Sequence, residues 1–265
     1  MMPIMKSARP RYAIIRLAVP VGGLLLWELL YRIGVMRASL LSSPSLIASE
    51  MWRLLRSGEL LDNAAHSMSL ILASFVLACL VGFPIGIAMG AKKSLENLFD
   101  PLIEFVRPIP PLALLPLAIV WLGIGVSEKL FMLFVGTFPP IVVNTFHGVR
   151  SADRVLVRAA RSMGAGDWDI LWKVLIPSAL PSMFVGMRVA SGFAFTVIVA
   201  AELVATQNGL GYLLTIGWRT YSLEMIFAAI FTIGLLSYAM DWGLRKLRRV
   251  IIHWDDDSGS PAAVF

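Results

Sequence analysis

Charged residues along this chain fall in clusters separated by long apolar runs. From Ser67 to Ala91 no Asp, Glu, Lys or Arg occurs in 25 residues, and Pro108–Ser127 and Leu130–Val149 are charge-free over 20 residues each. A helix needs about 20 mostly apolar residues to cross the hydrocarbon of a bilayer, so each run predicts a spanning helix. Three further runs carry one or two charges. Tyr12–Tyr31 has Arg16 and Glu28 near its ends, where they can snorkel, and a Tyr at each end for the interfacial belts. Ser178–Ala205 contains Arg188 and Glu202, and Met225–Leu244 contains Asp241. The pattern predicts an all-α integral membrane protein with six transmembrane helices. The spans cover about 12–31, 67–91, 108–127, 130–149, 178–205 and 225–244. They form one membrane domain, 12–249, between tails 1–11 and 250–265.

Composition agrees. Of 265 residues 58% are hydrophobic and 15% charged, against about 25% charged in an ordinary soluble domain. Mean hydropathy is +0.78. A soluble fold of this length could not hide so much apolar surface, and disorder is excluded by the same figures. The net charge of +6 acquires a meaning only once the basic residues are sorted by segment. With both termini inside, cytoplasmic segments hold sixteen Lys and Arg, including Arg107 in a loop with Lys92 and Lys93, outside segments hold six (Arg32, Arg37, Arg53, Arg56, Lys129 and Arg219), and Arg188 lies within a span. The excess is therefore an orientation signal placing both termini in the cytoplasm, and no nucleic-acid partner is expected. The basic N-terminus followed by an apolar run lacks a small-residue cleavage pattern and reads as an uncleaved signal anchor.

Two segments between spans carry further pattern. In the long first outside loop, Ser45–Leu55 follows a Ser43-Pro44 break and reads as a short amphipathic helix, either a platform for an external partner or a helix lying on the membrane surface. Inside, between the fourth and fifth spans, Val155, Leu156, Ala159, Ala160 and Met163 recur at helical spacing. Arg150, Arg154, Arg158 and Arg161 form a basic stripe beside them. Gly164 and Gly166 suit a chain reversal, Asp167 an N-cap, and Pro177 the end of a second short helix. The result is a helix–turn–helix whose small Ala residues would let another protein approach closely. An interfacial hairpin without a partner has the same pattern.

Within the spans, Gly82, Gly86 and Gly90 recur every fourth residue and form a small-residue stripe for close helix packing, against the chain's own bundle or a second subunit. Pro84, Pro116, Pro139, Pro140 and Pro181 each remove a helical hydrogen bond and favour kinks, which shape a cavity or simply bend the helix. Arg188 and Glu202 are the charges well inside apolar runs, and such residues face a bundle interior or water. Arg188 could attract an anion in a translocation path, pair with a neighbour or snorkel. Glu202, near the outer end, reads as a structural partner at an outer gate.

Chemistry-bearing motifs are absent from the sequence. Gly86–Ser94 has the wrong spacing for a phosphate loop, and His66, His147 and His253 are far apart and form no His-Glu-x-x-His motif. Lone Cys79 supports neither a disulfide framework nor a Cys-based metal site. No catalytic residue, metal or bound cofactor is expected, and the chain is not an enzyme by itself. An intramembrane enzyme would need a facing nucleophile–base pair or metal ligands, and a stand-alone secondary transporter would favour internal repeats. Neither is evident.

The inside loop resembles a signature of the membrane subunits of bacterial ABC importers. That signature reads Glu-Ala-Ala, three residues, Gly, nine residues, then Ile-x-Leu-Pro. Ala159-Ala160, Gly164 and Val174-Leu175-Ile176-Pro177 fall at that spacing, with Arg158 in the place of Glu. Arg107–Ala113 and Trp121–Gly125 look like the third span of the nitrate/sulfonate/taurine branch. Ala200–Ala205 and Gly209–Tyr212 look most like its taurine permeases. The likeness covers roughly 12–254. It implies a type I importer fold and a coupling loop over 150–177 whose Arg158, Ala159, Ala160, Gly164, Ile176 and Pro177 seat in a groove of a partner ATPase. It also implies two ATPase subunits that bind ATP and Mg, a periplasmic or lipid-anchored substrate-binding protein, a second copy of the chain, and residence in a bacterial inner membrane. The implied cargo is a small organic anion, taurine or another sulfonate, with nitrate, bicarbonate, an aromatic acid or a pyrimidine precursor as alternatives.

Overall fold

A computed structural model of the chain describes residues 9–35 and 41–254. Most of the two predicted tails, with Lys6 and Arg37, lies outside the described residues. Every regular element among the described residues is helical: α1 Arg9–Arg32, α2 Pro44–Arg56, α3 Glu59–Ala91, α4 Lys93–Val106, α5 Leu115–Leu122, α6 Val126–Arg150, α7 Arg154–Ser162, α8 Asp167–Ile170, α9 Ile176–Ala205, α10 Leu210–Arg219 and α11 Leu223–Ile251. A 3₁₀ turn, Pro111–Leu114, leads into α5, and a π-helical turn, Leu171–Leu175, joins α8 to α9.

By length and apolarity α3, α6, the rod Asp167–Val204 and α11 can each cross a membrane. The first predicted span lies in α1, a helix of 24 residues. Where one straight span was expected over 108–127, the chain is broken: α4 and the helical stretch Pro111–Leu122 are bent by 83° across the intervening turn. The cause is local. Pro108, Pro110 and Pro111 remove three backbone donors within four residues, and the chain leaves α5 through Gly123 at φ +74°. The bent pair counts as a fifth span if it crosses as one segment. Leu98, Leu102 and Phe105 on α4 are all exposed, an apolar face suited to lipid.

The chain forms two units. In the first, residues 1–62 with 213–231, α1 is tied to the start of α2. Glu28 accepts from the Ser45 backbone N–H at 3.1 Å and from Ser45 Oγ at 3.0 Å, while Arg32 Nε donates to it at 2.7 Å. Ser43 caps α2 by accepting from the Leu46 N–H, and Pro44 takes the first helical position, where no donor is needed. Ile47 and Leu54 are buried on one face of α2, whereas Leu46, Trp52 and Leu55 are exposed on the other. The Arg53 guanidinium, hydrogen-bonded to Glu50, holds that carboxyl below its usual pKa. Trp27 meets Phe227 edge-on with ring centroids 5.8 Å apart, and Ser42 Oγ donates to Glu224 at 2.8 Å.

The second unit, residues 63–212 with 232–265, is built around α6. The stripe on α3 faces it. A Cβ at Gly82 would sit 2.9 Å from Ile141 Cγ2, one at Gly86 2.6 Å from Thr145 Cβ, and one at Gly90 2.5 Å from Val149 Cβ. The other flank of α6 meets α9 as closely. A Cβ at Gly148 would lie 3.0 Å from the Ala179 carbonyl oxygen, and one at Gly186 3.0 Å from that of Pro140. Around these approaches Ile71, Ala118, Met132, Leu133, Ala194 and Ile198 form the largest buried apolar cluster.

The Gly86 contact includes the Val142 backbone oxygen at 2.8 Å, which cannot rotate away. Gly86→Ala should therefore cost about 1–3 kcal/mol through overpacking. Gly192→Ala, whose Cβ meets nothing within 4 Å, should leave stability unchanged or slightly raised. Thermal unfolding of both variants in detergent checks this, and equal melting temperatures would refute the packing described here.

Candidate functional site

Two features stand out as built sites, a helical hairpin between α6 and α9 and a buried polar knot where α9 turns into α10. In the hairpin, Asp153 starts α7 by accepting from the Val155 N–H at 2.7 Å. The helix ends on Gly164 at φ +84°, with the Gly164 N–H donating to Arg161 O at 2.9 Å and the Ala165 N–H to Ala160 O at 3.0 Å. This is a Schellman motif, and it explains why glycine stands at that position. Asp167, expected as the N-cap of α8, instead lies in its first turn after Gly166, and its carboxylate takes Arg161 at 3.2 Å.

Pro177 does not end the second helix. The path from Asp167 to Val204 is one helical rod, because the chain widens into a π turn just before the proline. The Ile176 N–H donates to Leu171 O, a spacing of five, so the ladder is already re-registered where Pro177 has no donor to give.

The hairpin's apolar residues are divided. Ala160 is buried, but Val155, Leu156, Ala159 and Met163 face outward, Met163 at 82% exposure. Trp168 and Trp172, edge-on with centroids 5.7 Å apart, are exposed beside them. Arg158 and Gly164 are exposed as well, and Ile176 and Pro177 are half-buried at the start of α9. The hairpin thus presents an apolar, aromatic and basic surface with no cover among the described residues of its own chain.

The knot gathers Glu202 of α9 and the Gly209–Gly211 segment with Asn63 and Ser67 of α3, which pattern reading did not single out. Glu202, 1% exposed, accepts from Ser67 Oγ at 2.7 Å and from the Gly211 N–H at 2.9 Å. Ser67 Oγ in turn accepts from the Leu210 N–H at 2.9 Å, and Asn63 Oδ1 from the Gly209 N–H at 2.7 Å. Three successive donors at the start of α10 are therefore satisfied by side chains of α3 and α9. The glycines are required: Gly209 has φ +112° and its Cβ would fall on the Glu202 carboxylate, while a Cβ at Gly211 would lie 2.8 Å from Val199 O. Lys129, 4% exposed, acts electrostatically on Glu202 and His66. Its neighbour Glu128, also buried, accepts from the Gly125 N–H at 2.6 Å. Lys129 is one of the six basic residues that the sequence places outside. Its place at the start of a long apolar helix gave no hint of burial.

Arg188 is separate from this knot, 14 positions earlier on α9, or about 21 Å along the helix. Its Nε donates to Asp241 Oδ1 of α11 at 2.7 Å, and Arg245 also binds that carboxylate. Of the three options open to Arg188, pairing with a neighbour is the one the fold displays. Arg107, assigned from sequence to a cytoplasmic loop, lines a cleft against Val135–Asn144 of α6 and Val189 of α9, near the middle of both helices. The bend between α4 and α5 carries it there. Among the described residues no group of His, Cys, Asp or Glu is arranged to hold a metal.

Residues 82–252 match the family described as binding-protein-dependent transport system inner membrane component. The chain belongs to that family. Its members are membrane permease subunits of ABC importers, in which a separate ATPase hydrolyses ATP. It is 36% identical over 193 residues to the taurine transport system permease protein TauC of Escherichia coli, covering 73% of this chain and 70% of that one. It is 35% identical over 237 residues to SsuC of Escherichia coli, whose name assigns it to aliphatic sulfonates transport, covering 89% and 90%. The fold resembles that of an inward-facing MetNI methionine ABC transporter structure, with a TM-score of 0.61 at 21% identity over 76% of this chain and 97% of that one. The protein is thus a multi-pass membrane permease of type I importer architecture that works with ATPase and substrate-binding partners.

The knot yields a stability prediction. Ser67→Ala removes one donor to Glu202 and the hydroxyl that accepts from the Leu210 N–H, which should cost about 1–3 kcal/mol. Gly209→Ala should cost more, since backbone and space both oppose it. Denaturation of the purified variants measures both, and a Ser67→Ala protein as stable as the parent would contradict the bonding described.

Proposed function

We propose that this permease imports a small organic anion, taurine or another sulfonate, by alternating access, as a pair of identical chains served by two ATPase subunits and one substrate-binding protein. The observation that carries the coupling half of this reading is the uncovered hairpin 154–175, exposed in its apolar and aromatic residues and continuous with α9. Arg158, Ala159, Ala160, Gly164, Ile176 and Pro177 form its docking and transmission elements. The small Ala159 lets a partner's groove close over the helix, Gly164 sets the turn, and Ile176 and Pro177 begin the membrane rod. This orientation puts the hairpin and both termini in the cytoplasm, in keeping with the excess of Lys and Arg on that side. The partner ATPase holds ATP and Mg, and this chain binds no cofactor. Its closure pushes on the hairpins and tips the spans from outward to inward access.

The sulfonate half rests on TauC and SsuC, at 36% and 35% identity. In this scheme the knot at Glu202 is structural: it clamps the α9–α10 turn at the outer end. Gly82, Gly86 and Gly90 hold α3 to α6 within the chain, so the contact with the second copy uses other faces.

Ala159→Glu should abolish co-purification with the ATPase and reduce substrate-stimulated ATP hydrolysis at least tenfold, because an exposed small residue on the docking face becomes a charge that the closed groove would bury. Intact assembly and hydrolysis would rule out the docking assignment. Calorimetry of the cognate binding protein should show taurine or an alkanesulfonate binding at least tenfold tighter than nitrate, bicarbonate, an aromatic acid or a pyrimidine. The reverse ranking would replace the cargo.

A further inference from the structure

Between the turn after α4 and the middles of α6 and α9 lies a cleft of about 250 Å³. Arg107 and Pro111 line it from the turn, Gly136 and Asn144 from α6, and Val189 and Phe193 from α9. Ligand sites for drug-sized molecules run to about 300–1,000 Å³, so this space suits something smaller.

Its depth is the first argument. The α6 residues in its wall run from Val135 to Asn144, nine positions from the start of α6 and six from its end. At ~1.5 Å per residue these lie about 9–13 Å inside either end of the helix, within the hydrocarbon layer. Arg107 borders that level. A charge at such depth costs about 2.5–3.5 kcal/mol on insertion scales and is found where it faces water, a partner or a transported ion.

Its chemistry is the second. The recorded ion-pair partner of Arg107 is Glu104, three residues earlier at 3.5 Å, with both side chains more than half exposed. A contact that long and wet leaves most of the five guanidinium N–H donors unengaged. Asn144 donates one Nδ2 hydrogen to Pro140 O at 2.8 Å, which fixes its amide plane and leaves a second hydrogen and an acceptor. The remaining wall is mostly proline, valine, isoleucine and phenylalanine, an apolar lining that strengthens a charge–charge attraction beside it. Arg188, the charge that apolar runs first draw attention to, is occupied by Asp241 and does not line this cleft.

We propose that the cleft is an intramembrane anion subsite in which the planar Arg107 fork takes two oxygens of a sulfonate or carboxylate and Asn144 donates to a third polar atom. It rests on the organic-anion reading above, and names the residues that would meet the cargo within the membrane. Phe193 and Val189 would pack on the short carbon chain that separates the anionic head from the rest of the molecule.

The test uses the complete transporter, with its ATPase and binding protein, in liposomes charged with ATP, and measures uptake of labelled taurine and of an alkanesulfonate. Arg107→Gln should lower uptake at least tenfold. Arg107→Lys, which keeps the charge and loses the fork, should fall between. Asn144→Asp, which sets a like charge against the cargo, should abolish uptake while still co-purifying with the ATPase. If the parent transports and both Arg107→Gln and Asn144→Asp transport equally well, the subsite is overturned and the anion reading stands. If the parent takes up neither anion while importing a neutral solute, the anion reading itself falls, and the subsite with it.

Discussion

The structure depends on how near α3 and α9 come to α6. Lipid tails are as apolar as leucine, so burial of apolar surface gives helices no reason to associate in a bilayer, and contact between backbones must do so. The glycines of α3 and those at Gly148 and Gly186 make that contact possible, to within a few tenths of an ångström of what a methyl group would forbid. Once α6 is held from both flanks, its own interior can be irregular. Pro139 and Pro140 interrupt its ladder at the level of the Arg107 cleft, and packing on either side keeps the interrupted helix in place.

Charge is distributed by the same economy. Three carboxylates of the second unit each gather donors. Glu202 receives donors from the start of α10, Glu128 receives the donor that opens α6, and Asp241 gathers Arg188 and Arg245. A carboxylate at a helix start is favourable electrostatically as well as by hydrogen bonding, because it meets the positive end of the helix dipole. Arg107 has only a loose partner on its own turn, and that difference sets it apart from the rest.

Four of the six expected spans were legible because hydrocarbon imposes one rule, about 20 apolar residues per crossing, and α3, α6, α9 and α11 obey it. Legible too were the hairpin, from its periodicity and its two glycines, and the family, from Ala159-Ala160, Gly164 and Ile176-Pro177 at their spacing. What escaped was tertiary. The knot unites Asn63 and Ser67 with Glu202 and Gly209, more than 130 positions apart, and no local pattern marks such a meeting. Lys129 carried the wrong cue, since a charge between two apolar runs reads as a loop residue. Pro177 misled for a subtler reason: a proline stops a helix only where the ladder needs its N–H, and the π turn had already removed that need.

That π turn has a mechanical consequence. Because the helix is not interrupted, Asp167–Val204 is a single rod of 38 residues, about 57 Å long at ~1.5 Å per residue. Arg188, clamped to Asp241, lies just past its midpoint. A single helix therefore links the exposed hairpin to the Glu202 knot, with no loop between them to absorb a displacement applied at either end.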